Sequence, residues 1–372
     1  MDFLAKFAEA DTASDAARKL KEECTGFPVR QLLYFASPAF GAEETAKAVK
    51  DAFPGAVTLG CTCYDCMQAL NGSNRAIAAM AFGPEAFSRF AVTVAENIEQ
   101  DPLAMEKALL RLQDEIGETI ADLDYRSWFG MVIFDGRASN TESFVASAGN
   151  RTDITFVGGY ASDFLTFKDI AVYRDDTAHR GAALVAIAKP KGKFALLKTQ
   201  SAAIGARTFM VTGSDEKKKI LKTLDGRPAM DVYAEALGMK PADIDAAVFR
   251  NNPFGVMAVG EPFIRAISVA TGDGGLRLFC SLKEGVPVTL LKTTDIIEET
   301  ARALEEKRRQ LGGSIKAAVV FDCVLRNIEI HEENKFESYA GLFNGIQSIA
   351  FSTFGEAYIG LVTQTAVMIL FG

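Results

Sequence analysis

The stretch WFGMVIFDG (128–136), with its shorter echo VVFDC (319–323), decides how this chain is read. Each is a run of apolar residues too short for a buried helix, stopped by an Asp and a small residue. That pattern marks a buried strand ending in a turn. Working outward, Asp101 and Pro102 supply an N-cap and a first helical position for a long helix to about residue 121. Beyond the strand, a helix near 139–149 and a strand at 154–157 lead to Gly158-Gly159. Around the echo, Thr294-Asp295 caps a long helix to about 311, and a helix near 335–344 and a strand at 348–352 follow. The two neighbourhoods share an order, which suggests an internal duplication of a strand–strand–helix–strand–helix–strand–strand unit.

The remaining segments are read against this frame. The N-terminal stretch MDFLAKFAEADTASDAARKLKEE (1–23) reads as a charged amphipathic helix, with 13–23 as its firm part. A strand at 31–37, a helix at 42–52 and a strand at 56–60 come next. RAIAAMAF (75–82) and FSRFAVTVA (87–95) read as a hairpin across Gly83-Pro84. Strands at 170–173 and 182–188 lead to the polar breaker run KPKGK (189–193), the expected boundary between a domain at 1–190 and one at 191–372. In the second, 276–280 and 286–291 read as a hairpin around Glu284-Gly285, and the last strand as 363–371. The expected class is α+β or mixed α/β: two halves of mixed sheets layered with helices, not a doubly wound parallel sheet.

With 372 residues, 49% of them hydrophobic and 24% charged, the chain can bury more than one ordinary core. Phenylalanine, at 27 residues against a single Trp, points to Phe-rich cores. The net charge of −8 is spread without a Lys/Arg stripe, so no nucleic-acid partner is expected. The N-terminus lacks the apolar core of a signal peptide, and no run reaches the roughly 18 apolar residues of a membrane span. The expectation is a cytoplasmic protein without membrane insertion, its six cysteines kept as thiols.

Several short stretches follow one another in order. They are Gly60-Cys61-Thr62, Phe134-Asp135-Gly136, VGGYASD (157–163), LDGRPAMDVY (224–233), Pro262-Phe263-Ile264-Arg265, Phe321-Asp322-Cys323 with Arg326, and Thr353-Phe354-Gly355-Glu356. Their succession over about 30–371 resembles the FIST domain family, an N-terminal FIST domain followed by a C-terminal one. The resemblance implies a bacterial-type sensory protein that binds a small ligand such as an amino acid or another small carboxylate. Some members are associated with haem and nitric oxide sensing. No residues are left over for a signalling module, so the output is expected to pass through a separate signalling protein.

The residues offer a site of matching chemistry. Arg265 and Arg326 could grip a carboxylate, while Asp322 and Glu356, flanked by Cys323 and Gly355, could accept an ammonium group. The alternative is that Asp322 and Arg326 pair with each other and fix the turn. Gly60-Cys61 and Gly158-Gly159 sit at strand ends, where glycine permits close backbone approach to a ligand or a tight turn.

Cys61, Cys63 and Cys66 crowd into six residues and could hold zinc or exchange thiols. No histidine stands near as a fourth ligand, Cys63 and Cys66 depart from the family pattern, and no structural metal is expected. His331, or a cysteine thiolate, is the candidate axial ligand if haem is bound. His179 lies in a polar turn. No GxGxxG between strand and helix, Walker A, GxSxG or HExxH pattern occurs, which argues against an enzyme. A haem-based sensor is the first alternative, and an enzyme using Cys61 or Cys323 the second.

Overall fold

The computed structural model describes residues 2–64, 66–67, 75–137, 141–164, 166–258 and 260–372. Its first element departs from the sequence reading. Residues 3–9 alternate in burial and form strand β1 (Phe3–Glu9), so the charged helix does not begin at the N-terminus. Helix α1 (Ala13–Glu23) starts after Thr12, whose side chain accepts the Asp15 N–H. Strand β2 (Gln31–Ala36), helix α2 (Ala42–Ala52), β3 (Val57–Thr62), β4 (Cys66–Met67) and β5 (Ala76–Phe82) follow. β2 and β3 are parallel, and β5 lies between β2 and β1, antiparallel to both.

The same plan then recurs. It comprises β6 (Phe87–Ala95), α3 (Ala104–Ile116), β7 (Phe129–Phe134), α4 (Thr141–Gly149), β8 (Phe156–Tyr160), β9 (Val172–Arg174), β10 (Thr177–His179) and β11 (Ala183–Pro190). β7 and β8 are parallel, and β11 fills the place between β7 and β6. The hairpin expected across Gly83-Pro84 is therefore absent. Both sides of β5 are taken by β1 and β2, and β6 pairs with β11.

After β12 (Phe194–Gln200) the chain builds a second unit, residues 200–300 with 362–365. Its strands are β13 (Ala202–Asp215), β14 (Ile220–Leu224), β15 (Arg227–Pro228), β16 (Phe254–Ala258), β17 (Glu261–Arg265), β18 (Ile267–Ala270), β19 (Leu276–Leu278) and β20 (Pro287–Thr293). The sheet order is β17-β16-β20-β13-β14-β19-β18, with β15 on β14. Helices α5 (Ala229–Leu237) and α6 (Ala246–Asn251) contribute Tyr233 and Phe249 to a core with Val211, Leu224 and Phe254. The hairpin expected around Gly285 is corrected here too: β19 pairs with β14 and β18, whereas β20 pairs with β13 and β16.

The chain returns to the first unit through α7 (Ile296–Gln310), then β21 (Ala317–Cys323), α8 (Val324–Glu332), α9 (Phe336–Gly341), β22 (Gln347–Thr353), β23 (Glu356–Tyr358), β24 (Leu361–Val362) and β25 (Thr365–Phe371). β21 and β22 are parallel, and β25 stands between β21 and β12. The plan thus occurs three times, and the expected duplication is a triplication.

Each of the three sheets is extended by a short strand from another repeat. β9, from the second, pairs with β3 of the first; β23, from the third, with β8 of the second; β4, from the first, with β22 of the third. Open strand edges are liabilities, and this cyclic exchange covers them. It also corrects the boundary at 190/191, because strands from both sides of it share sheets. The first unit is residues 1–199, 301–361 and 366–372.

Ser162 ties the three repeats together. Its N–H donates to Thr62 O (3.1 Å) and its Oγ to Ser352 O (2.5 Å), while the Tyr64 N–H donates to Oγ (2.7 Å). The inner faces of the three sheets meet in apolar packing, where Phe371 touches Phe3, Phe82, Phe87 and Phe129. A void of about 20 Å³ remains there, lined by residues such as Leu33, Met131 and Val319. It is apolar and about the size of one water, so it is packed core and no ligand site.

Candidate functional site

β21 ends in Asp322-Cys323, and α8 begins at the next residue, which puts Arg326 one helical turn beyond Asp322. The Arg326 Nε donates to Asp322 Oδ1 at 2.7 Å, with the two side chains 2% and 0% exposed. The reading in which these residues pair with each other is the one the geometry shows. Removal from water would strip charge from the guanidinium, but the adjacent Asp322 carboxylate outweighs that and raises its pKa.

Tyr339 of α9 completes the cluster, its ring 5.9 Å from the guanidinium carbon. Burial first, and the Asp322 charge second, raise the phenol pKa, so it stays a neutral donor. The Tyr339 hydroxyl lies close enough to Asp322 and Arg326 for both to act on its titration as weak hydrogen-bond partners. It and Asp322 Oδ2 are both buried atoms with no well-formed hydrogen-bond partner among the described residues.

Glu356, fully buried, begins β23, which runs against β8 and approaches β21. Glu356 faces Gly159 and Ala357 faces Gly158 in register. The structure thus gathers four predicted residues, Gly158, Gly159, Gly355 and Glu356, from distant parts of the sequence. The glycines serve strand packing: a Cβ on Gly159 would fall 2.6 Å from Thr353 Oγ1, and one on Gly158 would fall 1.7 Å from Val132 O. Gly60 holds the same place in the first sheet, where a Cβ would fall 1.8 Å from Tyr34 O.

Other candidates go elsewhere. Arg265, on β17, belongs to the second unit, where its Nη1 donates to Ile264 O at 3.2 Å, so neither unit assembles the two-arginine fork by itself. Cys61 and Cys323 are free and buried, and burial pushes the Cys61 thiol well above its ordinary range, which makes it a poor nucleophile. Cys63 is disulfide-bonded, which corrects the expectation of six thiols and removes one thiolate from the proposed zinc set. The Cys66 side chain lies outside the described residues. Among the described residues, no group of three His, Cys, Asp or Glu is placed to hold a metal. His179 pairs with Glu96 at 2.8 Å. His331 is exposed and stacked on Phe336, which does not fit an axial ligand enclosed with haem in an apolar pocket.

Sequence reasoning missed Tyr339, which has no local signal, and the ion pair closing β7. There Asp135 Oδ1 accepts from Arg137 N (3.1 Å) and Nε (3.0 Å), and Oδ2 from Arg137 Nη2 (2.6 Å) and Gly181 N (2.7 Å). Burial alone would raise this carboxyl's pKa, but those donors outweigh it and the net shift is downward. Asp163, the last residue of VGGYASD, accepts the backbone N–H groups of Thr166, Phe167, Lys168 and Asp169.

Family models match along the chain in the order the motifs suggest: the FIST N domain over residues 31–227 and the FIST C domain over 229–358. The chain belongs to the FIST family. FIST domains are sensory domains that bind small ligands, so this FIST chain is of that class. The two family models meet inside the second unit, at 227–229, rather than at its borders. No curated protein matches the chain. Among solved structures, the crystal structure of a chorismatase is similar at 10% identity and a TM-score of 0.35, covering 99% of this chain and 97% of that one. No helix among the described residues is long and apolar enough to cross a membrane.

Proposed function

We propose that this FIST chain senses an amino acid or a related small amine-bearing carboxylate at the Asp322–Arg326–Tyr339 cluster, with Glu356 on the neighbouring strand, and that it binds without catalysing a reaction. The observation that carries the reading is the pair of buried atoms, Asp322 Oδ2 and Tyr339 OH, with no well-formed hydrogen-bond partner among the described residues. Buried polar atoms are almost always satisfied, and an unmet one costs about 1–3 kcal/mol. A ligand with one donor and one acceptor answers both.

Charge selects the ligand's orientation. The unmet Asp322 oxygen would receive the ligand's ammonium group, with the ligand's carboxylate meeting the Tyr339 hydroxyl. This differs from the sequence reading, in which two arginines led the recognition. The raised Cys61 thiol supports a binding role over a cysteine-dependent enzyme. With sensing as the activity, a separate signalling protein receives the output.

Tyr339→Phe tests the reading, because it deletes one hydroxyl and leaves the Asp322–Arg326 ion pair in place. The unliganded variant is expected to melt within a degree or two of wild type. Its affinity for the amino acid that stabilises wild type should fall by about tenfold. Melts with a panel of amino acids check this. No amino-acid-dependent shift in wild type, or the same shift in Tyr339→Phe, contradicts the proposal.

A further inference from the structure

A second buried polar group lies in the first sheet, independent of Asp322. Tyr34 of β2, Gly60 of β3 and Tyr173 of β9 are lateral neighbours, Tyr34 opposite Gly60 and Gly60 opposite Tyr173. Gly60 has no side chain, and the two phenol rings stack across it with centroids 5.2 Å apart and planes within 3°. Thr58 stands two residues before Gly60 and so on the same face of β3. That face packs under α1 and α2, with Tyr34 and Tyr173 in one core with Ala42, Ala46 and Val49.

Tyr34, Tyr173 and Thr58 are fully buried, and all three hydroxyls lack a well-formed hydrogen-bond partner among the described residues. The Tyr173 hydroxyl lies beside Thr45 in the first turn of α2, but the Thr45 hydroxyl donates to Gly41 O at 2.7 Å. Gly41, the N-cap of α2, offers no side-chain acceptor to the first-turn amides. At the rim, the Arg180 guanidinium is held by Glu43, and both side chains are largely exposed.

We propose that Tyr34, Tyr173 and the first turn of α2 form a second binding site for a small monocarboxylate of formate or acetate size. Two phenols and a threonine carry buried hydroxyls without a well-formed partner among the described residues, with Thr45 Oγ1 close enough to Tyr173 to accept weakly. The helix N-terminus adds positive potential, offset in part by Glu43 and Glu44 in its first turn, and at the rim Arg180 is paired with Glu43. Such surroundings favour a guest that accepts hydrogen bonds, and Arg180, once released from Glu43, would meet its negative charge. An exposed ion pair such as Arg180–Glu43 contributes little stability and can open to admit the guest.

The test uses the intact chain. Thermal melts of wild type, Tyr34→Phe, Tyr173→Phe and the double variant are recorded with sodium formate or acetate against sodium chloride at equal ionic strength. Wild type should gain stability with carboxylate beyond that with chloride. Each single variant should need about tenfold more carboxylate for the same shift, and the double variant should not respond. Saturation-transfer NMR of formate with wild-type protein gives a readout that does not depend on how the variants fold. Equal shifts in chloride and carboxylate, an undiminished response in the double variant, or no saturation transfer overturns the proposal and leaves the hydroxyls to water. Amino-acid binding at Asp322 is unaffected by either result, so the two readings fail separately.

Discussion

Asp135 and Asp322 end corresponding strands in two repeats, follow a Phe in both cases, and face an arginine a few residues on. Their surroundings differ. Asp135 has both oxygens occupied by four donors, three from Arg137 and one from Gly181, and the Arg137 side chain is 36% exposed. Asp322 is sealed with Arg326, one oxygen bound to Nε and the other without a partner among the described residues.

A one-residue shift accounts for the difference. Met131 and Val319 both line the central void, so they share the inward face. Matching them puts Phe134 out of step with Phe321: Phe134 turns toward Phe144 of α4, and Phe321 turns inward toward Phe35. Side chains alternate along a strand, so a shift of one exchanges the two faces. Asp135 therefore closes a buried turn with an arginine that reaches solvent, while Asp322 enters the helix layer. The same letters build a finished structural ion pair in one repeat and a carboxylate with bonding capacity to spare in the other.

The comparison breaks most readily on the largest expected effect. Asp322→Asn leaves Arg326 buried without its counter-charge and should cost about 3–5 kcal/mol in denaturant unfolding. Asp135→Asn should cost less, about 1–3 kcal/mol, because Arg137 reaches solvent. A larger loss at Asp135 would reverse the assignment of roles.

Acid titration sharpens the contrast. The folded pKa of Asp135 is depressed below the unfolded carboxylate value of about 3.9, so its contribution is full above that value and fades as pH falls through the folded pKa. Asp163 behaves alike, its burial outweighed by Thr166 and backbone N–H donors. Asp135→Asn should flatten the stability–pH curve below about pH 4. An unchanged acid limb would show that this pair does not set it. The smallest effect is kinetic: Cys61, buried with a raised thiol pKa, should label far more slowly than an exposed cysteine at pH 8. Fast labelling of the folded chain would return it to the list of reactive groups.

What was legible followed from local signals. The helix at 42–52 was read with the bounds the structure gives, because Pro38 and Gly41 close the strand before it, whereas the helix at 13–23 was read inside a longer helical stretch whose first residues form β1. Many strand positions of the repeats were legible, though β1 was read as helix and β12 to β18 were not read, and strand partners were not legible: nothing in Gly83-Pro84 says that β1 and β2 already flank β5. The third repeat was hidden because the strand ending FAS (35–37) carries no Asp to match FD in the others. At the site, the spacing of Asp322 and Arg326 made their pairing readable. Tyr339 was not, since only the packing of α9 brings it there. Arg265 shares a sequence pattern with the site and belongs to another unit.

Native mass spectrometry of the intact chain beside its Tyr339→Phe variant, both titrated with the amino acid that gives the largest wild-type thermal shift, tests the central claim most directly. The account predicts one amino acid per wild-type chain and about tenfold weaker occupancy in a variant that melts like wild type. Equal occupancy in both proteins, or none in wild type, would contradict it.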